Sequence, residues 1–232
     1  MAGAPLPRQR RRPRSVLLLG ATGLVGGHCL SQLLASPAFR RVTVLARRPG
    51  ESAHPDLDWQ VTDFDALEEH AACFAVDAVF CCLGTTRAKA GSATAFRRVD
   101  HDYPLASARL AAGQGAGQFL LVSALGANPR SRLLYSRTKG QLEAALRDLP
   151  LAAVHIFRPS FLMGERTESR PGERVGLALM RVVTPLLVGP LRRWRAIHAA
   201  TLARAMLRRA AEASPGYHVL PSDEIERLGA QP

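Results

Sequence analysis

Three glycines at fixed spacing, Gly20, Gly23 and Gly26, follow directly on the apolar run Val16–Leu19 and open the segment Leu24–Ala35. The apolar run has the length and composition of a buried strand, and the segment after it has the apolar spacing of a helix. Passing from one to the other within a few residues needs a backbone freedom at Gly20 that a side chain would remove. It also needs room for close approach at Gly23 and tight helix-on-sheet packing at Gly26. The first amides of such a helix have no partners within it and present their N–H groups to the turn. A strand, this turn and a helix together specify a parallel α/β unit with an anion seat at its edge.

The rest of the chain repeats the alternation. Strands are expected at Val16–Gly20, Arg41–Ala46, Trp59–Thr62, Ala78–Leu83, Phe119–Ser123 and Val154–Phe157, most of them near-continuous apolar runs suited to a sheet covered on both faces. Helices are expected at Leu24–Ala35, Ala93–Ala112 and Ser131–Leu149. The fold class is therefore α/β, a doubly wound parallel sheet of the Rossmann type. A chain of 232 residues, 47% hydrophobic, is enough for one such core. Residues 15–232 read as a single dinucleotide-binding domain. From about residue 160 the regularity fades, and the two further helix candidates, Arg174–Val188 and Ala196–Ala213, read as a small C-terminal cap over the carboxyl ends of the strands.

The formal net charge of +12 is unevenly spread: five arginines fall within residues 1–14, leaving +7 on the remainder. That tail has three prolines and no acid, cannot bury a core, and is expected to be disordered. No specific nucleic-acid binding is expected of it. The longest apolar stretch, Val175–Leu191, is broken by Arg181, Pro185 and Pro190, so no transmembrane segment is expected. Cys29, Cys73, Cys81 and Cys82 form no Cys-x-x-Cys pair and no zinc-ligand spacing. Reduced thiols in a cytoplasmic setting and no metal site are the expectation, with His101 between Asp100 and Asp102 read as a polar helix start.

Chemistry is concentrated in Tyr135-Ser136-Arg137-Thr138-Lys139, which sets a phenol and an ammonium four residues apart and so on one helix face. An unperturbed phenol suits neither acid nor base work near neutral pH, and a neighbouring cation favours its ionised form. Ser123, at the end of the fifth strand, supplies a hydroxyl for a substrate oxygen. Asp63 after the third strand reads either as an acceptor for an adenine amino group or as a helix cap. Leu83 and Gly84 end the fourth strand where a ribose needs room, with Thr85 and Thr86 beside them. After the second strand, where an NAD-specific fold carries an acid for the ribose 2′-hydroxyl, this chain carries Arg47 and Arg48. Two guanidinium groups there suit a 2′-phosphate, hence NADP(H) in preference to NAD(H).

These residues resemble the atypical short-chain dehydrogenase/reductase family, and within it the Tat-interacting-protein-like oxidoreductases. The glycine turn and the Ser-Tyr-Lys set carry the broad likeness. The narrower one rests on Phe80-Cys81-Cys82-Leu83-Gly84-Thr85-Thr86-Arg87, Lys89-Ala90-Gly91, Val99-Asp100-His101-Asp102-Tyr103, Phe157-Arg158-Pro159 and Glu168-Ser169-Arg170-Pro171-Gly172-Glu173. The resemblance implies cofactor contacts at Gly20, Thr22, Gly23, Leu24, Val25, Gly26, Arg47, Arg48, Asp63, Leu83, Gly84 and Arg158. It places Tyr135 and Lys139 at the nicotinamide ribose, and implies an oxidoreductase acting on a small carbonyl or alcohol, as monomer or homodimer. In one respect the chain departs from the wider family: Asp100 stands where many members carry the Asn that completes a proton relay. An NADP(H)-binding regulator that engages a protein partner without turnover is the alternative. A nucleotide-sugar epimerase or dehydratase is a third reading, disfavoured by the short chain after the sixth strand. Arg166 and Arg170 read either as a clamp on an anionic ligand or as a solvated loop.

Overall fold

The computed structural model describes residues 14–50, 53–164 and 193–231. Most of the basic tail, the helix candidate Arg174–Val188 and the pair Arg166 and Arg170 lie outside the described residues. Strand β1 (Arg14–Leu19) leads through the glycine turn into helix α1 (Leu24–Ala35), and β2 (Phe39–Ala46) and β3 (Leu57–Val61) follow. A 3₁₀ segment (Phe64–Phe74) leads to β4 (Ala78–Cys81). Two short helices come next, α2 (Arg87–Ala90) and α3 (Ala93–Arg97), then a π-helical turn (Arg98–Asp102) running into α4 (Tyr103–Gly113). Strand β5 (Phe119–Val122), helix α5 (Leu134–Arg147) and strand β6 (Ala153–Arg158) complete the second half.

The strand order is β3-β2-β1-β4-β5-β6 with one more strand beyond β6, and all pairings are parallel. This is the doubly wound arrangement, with its order reversing between β1 and β4. Alternate residues of each strand enter opposite layers. Val16, Leu18 and Val44 pack with Cys29 and Leu33 of α1, while Leu17, Leu19 and Leu121 pack with Ala108 of α4 and Leu142 and Leu146 of α5. Six strands and α1 stand where the sequence places them.

The C-terminal part departs from the expected cap. Beyond a two-stranded parallel ribbon, β7 (Leu162–Met163) with β8 (Ile197–His198), helix α6 (Ala199–Glu212) lies on the sheet face beside α1. Strand β9 (Gly216–Pro221) then pairs with β6 as the seventh strand, and α7 (Ser222–Ala230) packs on α6. The cause is the apolar face of α6: Leu202, Ala203, Met206 and Ala210 are fully buried in the same layer as Val16 and Leu18. That face covers the sheet, and leaves the described residues 199–230 as part of the main body.

Candidate functional site

The glycine turn is built as its spacing requires. Gly20 has φ of +84°. A side chain there would also meet the Cys82 carbonyl at 2.7 Å, and one at Gly26 would stand 2.0 Å from the Gly20 oxygen. Backbone packed this closely holds the start of α1 rigidly over the ends of β1 and β4. Gly23 occupies the N-cap position without a side-chain cap, so the first amides of α1, from Leu24 to Gly26, are left facing the turn. Thr22 and Gly23 are exposed there, and Val25 anchors the helix in the core. The ribbon of β7 and β8 borders this turn, since the Cβ position of Gly164 lies 2.7 Å from Leu24 Cδ1.

At the ends of the neighbouring strands the other expected contacts fall on the same rim. Arg47 and Arg48 follow β2, both exposed, and neither guanidinium is held by another described residue. Asp63 follows β3 and accepts from the Asp65 amide at 3.0 Å, so one oxygen serves as the cap of the 3₁₀ segment. Leu83 and Gly84 follow β4, and the face of Gly84 that lacks a Cβ looks onto Asp100 Oδ1 and Lys139 Nζ. This is a cradle that a side chain would fill. The bare helix start, the glycine-lined floor and the free cations fit a dinucleotide lying across the switch point.

Lys139 and Asp100 form the floor. Their charged atoms are 2.9 Å apart with side chains 4% and 1% exposed, and the second Asp100 oxygen accepts from the Thr85 amide at 2.7 Å. Burial alone would lower the Lys139 ammonium, but the Asp100 carboxylate and the Tyr135 phenol outweigh it and hold it above the usual lysine value. Tyr135, one helical turn earlier on α5, is exposed, with its ring 6.0 Å from that of Phe96. The expected pair therefore shares one face of α5, with the ammonium buried and the phenol open.

Ser123 is placed differently from a free substrate ligand. Its hydroxyl is buried and donates to Glu143 Oε1 at 2.5 Å. Glu143 also takes the Arg158 guanidinium on both oxygens, and its backbone carbonyl accepts from Tyr217 at 2.9 Å. Arg158, expected at the cofactor, is thus committed to a carboxylate. The Glu143 hydrogen bonds and charge hold Arg158 above the ordinary arginine value. Glu143 was not singled out from the sequence, where an acid on a helix reads as a solvated face. Its signal was the spacing Tyr135, Lys139, Glu143, which continues one face at four-residue steps.

His101 is buried, its Nδ1 2.7 Å from Asp102 Oδ1, and no group of metal-ligating side chains occurs among the described residues. No helix among them is long and apolar enough to cross a membrane.

Residues 20–171 match a family described as NAD(P)H-binding. The rat protein HTATIP2 is 44% identical over 164 residues, 69% of this chain and 67% of its own length. The mitochondrial protein FMP52 of Coccidioides immitis is 32% identical over 233 residues, 91% of this chain and 95% of its own. That name does not match the cytoplasmic setting expected from the thiols. Among solved structures, WbmH of Bordetella bronchiseptica in complex with NAD+ superposes with a TM-score of 0.69 at 16% identity, covering 90% of this chain and 76% of its own. MoeE5 in complex with UDP-glucose and NAD gives 0.67 at 19%, covering 93% and 81%. At such identities the two structures establish the fold alone. The chain belongs to the NAD(P)H-binding family, in the Tat-interacting-protein-like subgroup of the atypical short-chain dehydrogenases/reductases.

Proposed function

We propose that the protein is an NADP(H)-dependent oxidoreductase acting on a small carbonyl or alcohol. The observation that carries this reading is the face of α5, where Tyr135 is open to solvent and Lys139 is buried beneath Gly84. When bound, the nicotinamide supplies or takes the hydride. Tyr135 gives the proton to a nascent alkoxide, or takes it from an alcohol. Lys139, buried beside Asp100 beneath Gly84, would supply positive charge toward the phenol and toward the ribose of a bound cofactor. Because the Ser123 proton is directed to Glu143, the lone pairs of its oxygen remain to receive a hydroxyl, either that of Tyr135 or that of a substrate alcohol. Arg47 and Arg48 favour the 2′-phosphate.

A second reading is a protein that binds NADP(H) and regulates a partner without turnover. It is favoured by the engagement of Ser123 with Glu143 and of Lys139 with Asp100. The two readings separate in one experiment: NADPH oxidation is followed against a panel of aliphatic and aromatic aldehydes and ketones, with wild type beside Tyr135→Phe. The enzyme reading expects turnover of some member, lost in Tyr135→Phe while NADPH affinity is kept. Equal rates in both proteins, or tight NADPH binding with no turnover across the panel, would move the assignment to the regulator.

A further inference from the structure

Two thiols that the proposed chemistry does not use lie directly behind the glycine turn. Cys29 projects from α1 and Cys82 follows β4, with their sulfurs 4.0 Å apart, and Cys29 Sγ also contacts Met206 Sδ at 4.0 Å. Cys29 is fully buried and Cys82 is half-buried. Cys81 points into the opposite layer, where burial pushes its thiol up to about 12, and Cys73 faces Gln60 from within the 3₁₀ segment. Of the four thiols, Cys29 and Cys82 are the two within reach of each other.

We propose that Cys29 and Cys82 are an oxidative modification site: hydrogen peroxide converts them to a disulfide, and that bond weakens the grip of the glycine turn on its dinucleotide. The half-buried Cys82 thiolate attacks the peroxide O–O bond, which breaks with loss of water and leaves a sulfenic acid. The Cys29 sulfur then attacks that sulfur; the S–S bond forms, the S–O bond breaks and a second water leaves. Two electrons and two protons pass from the thiols to one peroxide.

The coupling to the cofactor is steric. A disulfide needs its sulfurs about 2 Å apart, so closure draws α1 and the end of β4 together. Both abut Gly20: the Cys82 carbonyl lies 2.7 Å from the Gly20 Cβ position, and the Gly20 oxygen lies 2.0 Å from that of Gly26. There is no slack between them, so the movement reaches the amides that face the pyrophosphate. The Cys82 thiol is held well above its ordinary value by its hydrogen bond with Cys29 and by burial, so the reaction is slow and answers sustained oxidant.

The test uses the full chain and hydrogen peroxide. After exposure, remaining thiols are alkylated, unreduced peptides are mapped by mass spectrometry, and NADPH affinity is measured by calorimetry before and after dithiothreitol. The expected result is a Cys29–Cys82 linked peptide and about tenfold weaker NADPH binding, both reversed by the reductant and both absent in Cys29→Ala and in the near-isosteric Cys29→Ser. Wild-type Cys82 ending as a sulfinic acid with Cys29 unlinked would overturn the proposal, as would a linked protein that binds NADPH as tightly as the reduced one. The peptide map needs no variant, so it decides the bond even if a substitution prevents folding.

Discussion

Asp100 Oδ1 lies 2.9 Å from Lys139 Nζ inside the protein, and the other Asp100 oxygen is tied to the Thr85 amide. A carboxylate therefore neutralises the ammonium that serves the proposed site and fastens it to the loop after β4. Removing one partner leaves a buried charge without compensation, which typically costs about 3–5 kcal/mol. Asp100→Ala is expected to lose stability of that order in urea unfolding. Asp100→Asn, which can still accept from Thr85, should lose less, and the double variant Asp100→Ala/Lys139→Ala should lose less than the sum of the singles. Additive losses would show the pair to be uncoupled. Because the Lys139 value is raised on folding, its contribution is complete below the ordinary lysine value of 10.5 and is lost as pH climbs past the raised one.

The proposed preference for NADP(H) rests on the two exposed arginines after β2. Arg47→Ala and Arg48→Ala should each weaken NADPH binding by about 1.5–3 kcal/mol, the range for a hydrogen bond to a charged group, and leave NADH binding nearly unchanged. Calorimetric titration of both cofactors against wild type and the two variants measures this. Tighter binding of NADH than NADPH by the wild type would refute the preference.

His155 gives the fold an acid limit. It is fully buried on β6, its ring stacks on His218 of the paired β9 at 5.1 Å, and neither ring nitrogen has a hydrogen-bond partner among the described residues. Burial, with the charges of Arg209 and His218, pushes it down to about 4. The unfolded chain thus binds the proton more readily. The associated stability is complete above the ordinary histidine value of 6.5 and drains away as pH falls from there towards about 4. His155→Phe should flatten that part of the melting-temperature profile, and an unchanged slope in this variant would assign the acid sensitivity elsewhere.

Helix α6 ends on a strained residue. Ala213 has φ of +52°, with its amide bonded to the Arg209 carbonyl at 3.2 Å. This is the left-handed stop that glycine fills without a Cβ penalty of roughly 1–2 kcal/mol. Ala213→Gly is expected to stabilise the protein by about 1 kcal/mol, less what glycine's freedom costs in the unfolded chain. A lower melting temperature than wild type would contradict it.

The parts of this molecule that were legible in sequence are those fixed by local pattern. The turn from Gly20 to Gly26 announces its strand and helix because a close backbone approach admits little besides glycine. The segment Ala93–Ala112 reads as one helix, yet Arg98–Asp102 is a π turn between two α-helical pieces. Its position matches a tertiary demand: Asp100 meets both Thr85 and Lys139 from that turn. Strand β9 was missed because Gly216-Tyr217-His218-Val219-Leu220-Pro221 is short and bounded by glycine and proline, and its partner β6 is remote in sequence. Glu143 and Arg158 carry the same lesson. Each is an ordinary charged residue in its own element, and only the crossing of α5 over β6 pairs them and brings the Glu143 carboxylate to Ser123.

Strand β9 also ties the far edge of the sheet to the proposed chemistry. Tyr217 donates to the Glu143 carbonyl, its ring lies under the Arg147 guanidinium at 4.7 Å, and its strand supplies the outer edge against which β6 holds Arg158. Local opening of that edge would release Glu143 and Arg147 from Tyr217 while the glycine turn and the Lys139–Asp100 pair stay closed. Fraying at β9 is thus expected to disturb the Ser123 hydroxyl, held through Glu143, before it disturbs the turn.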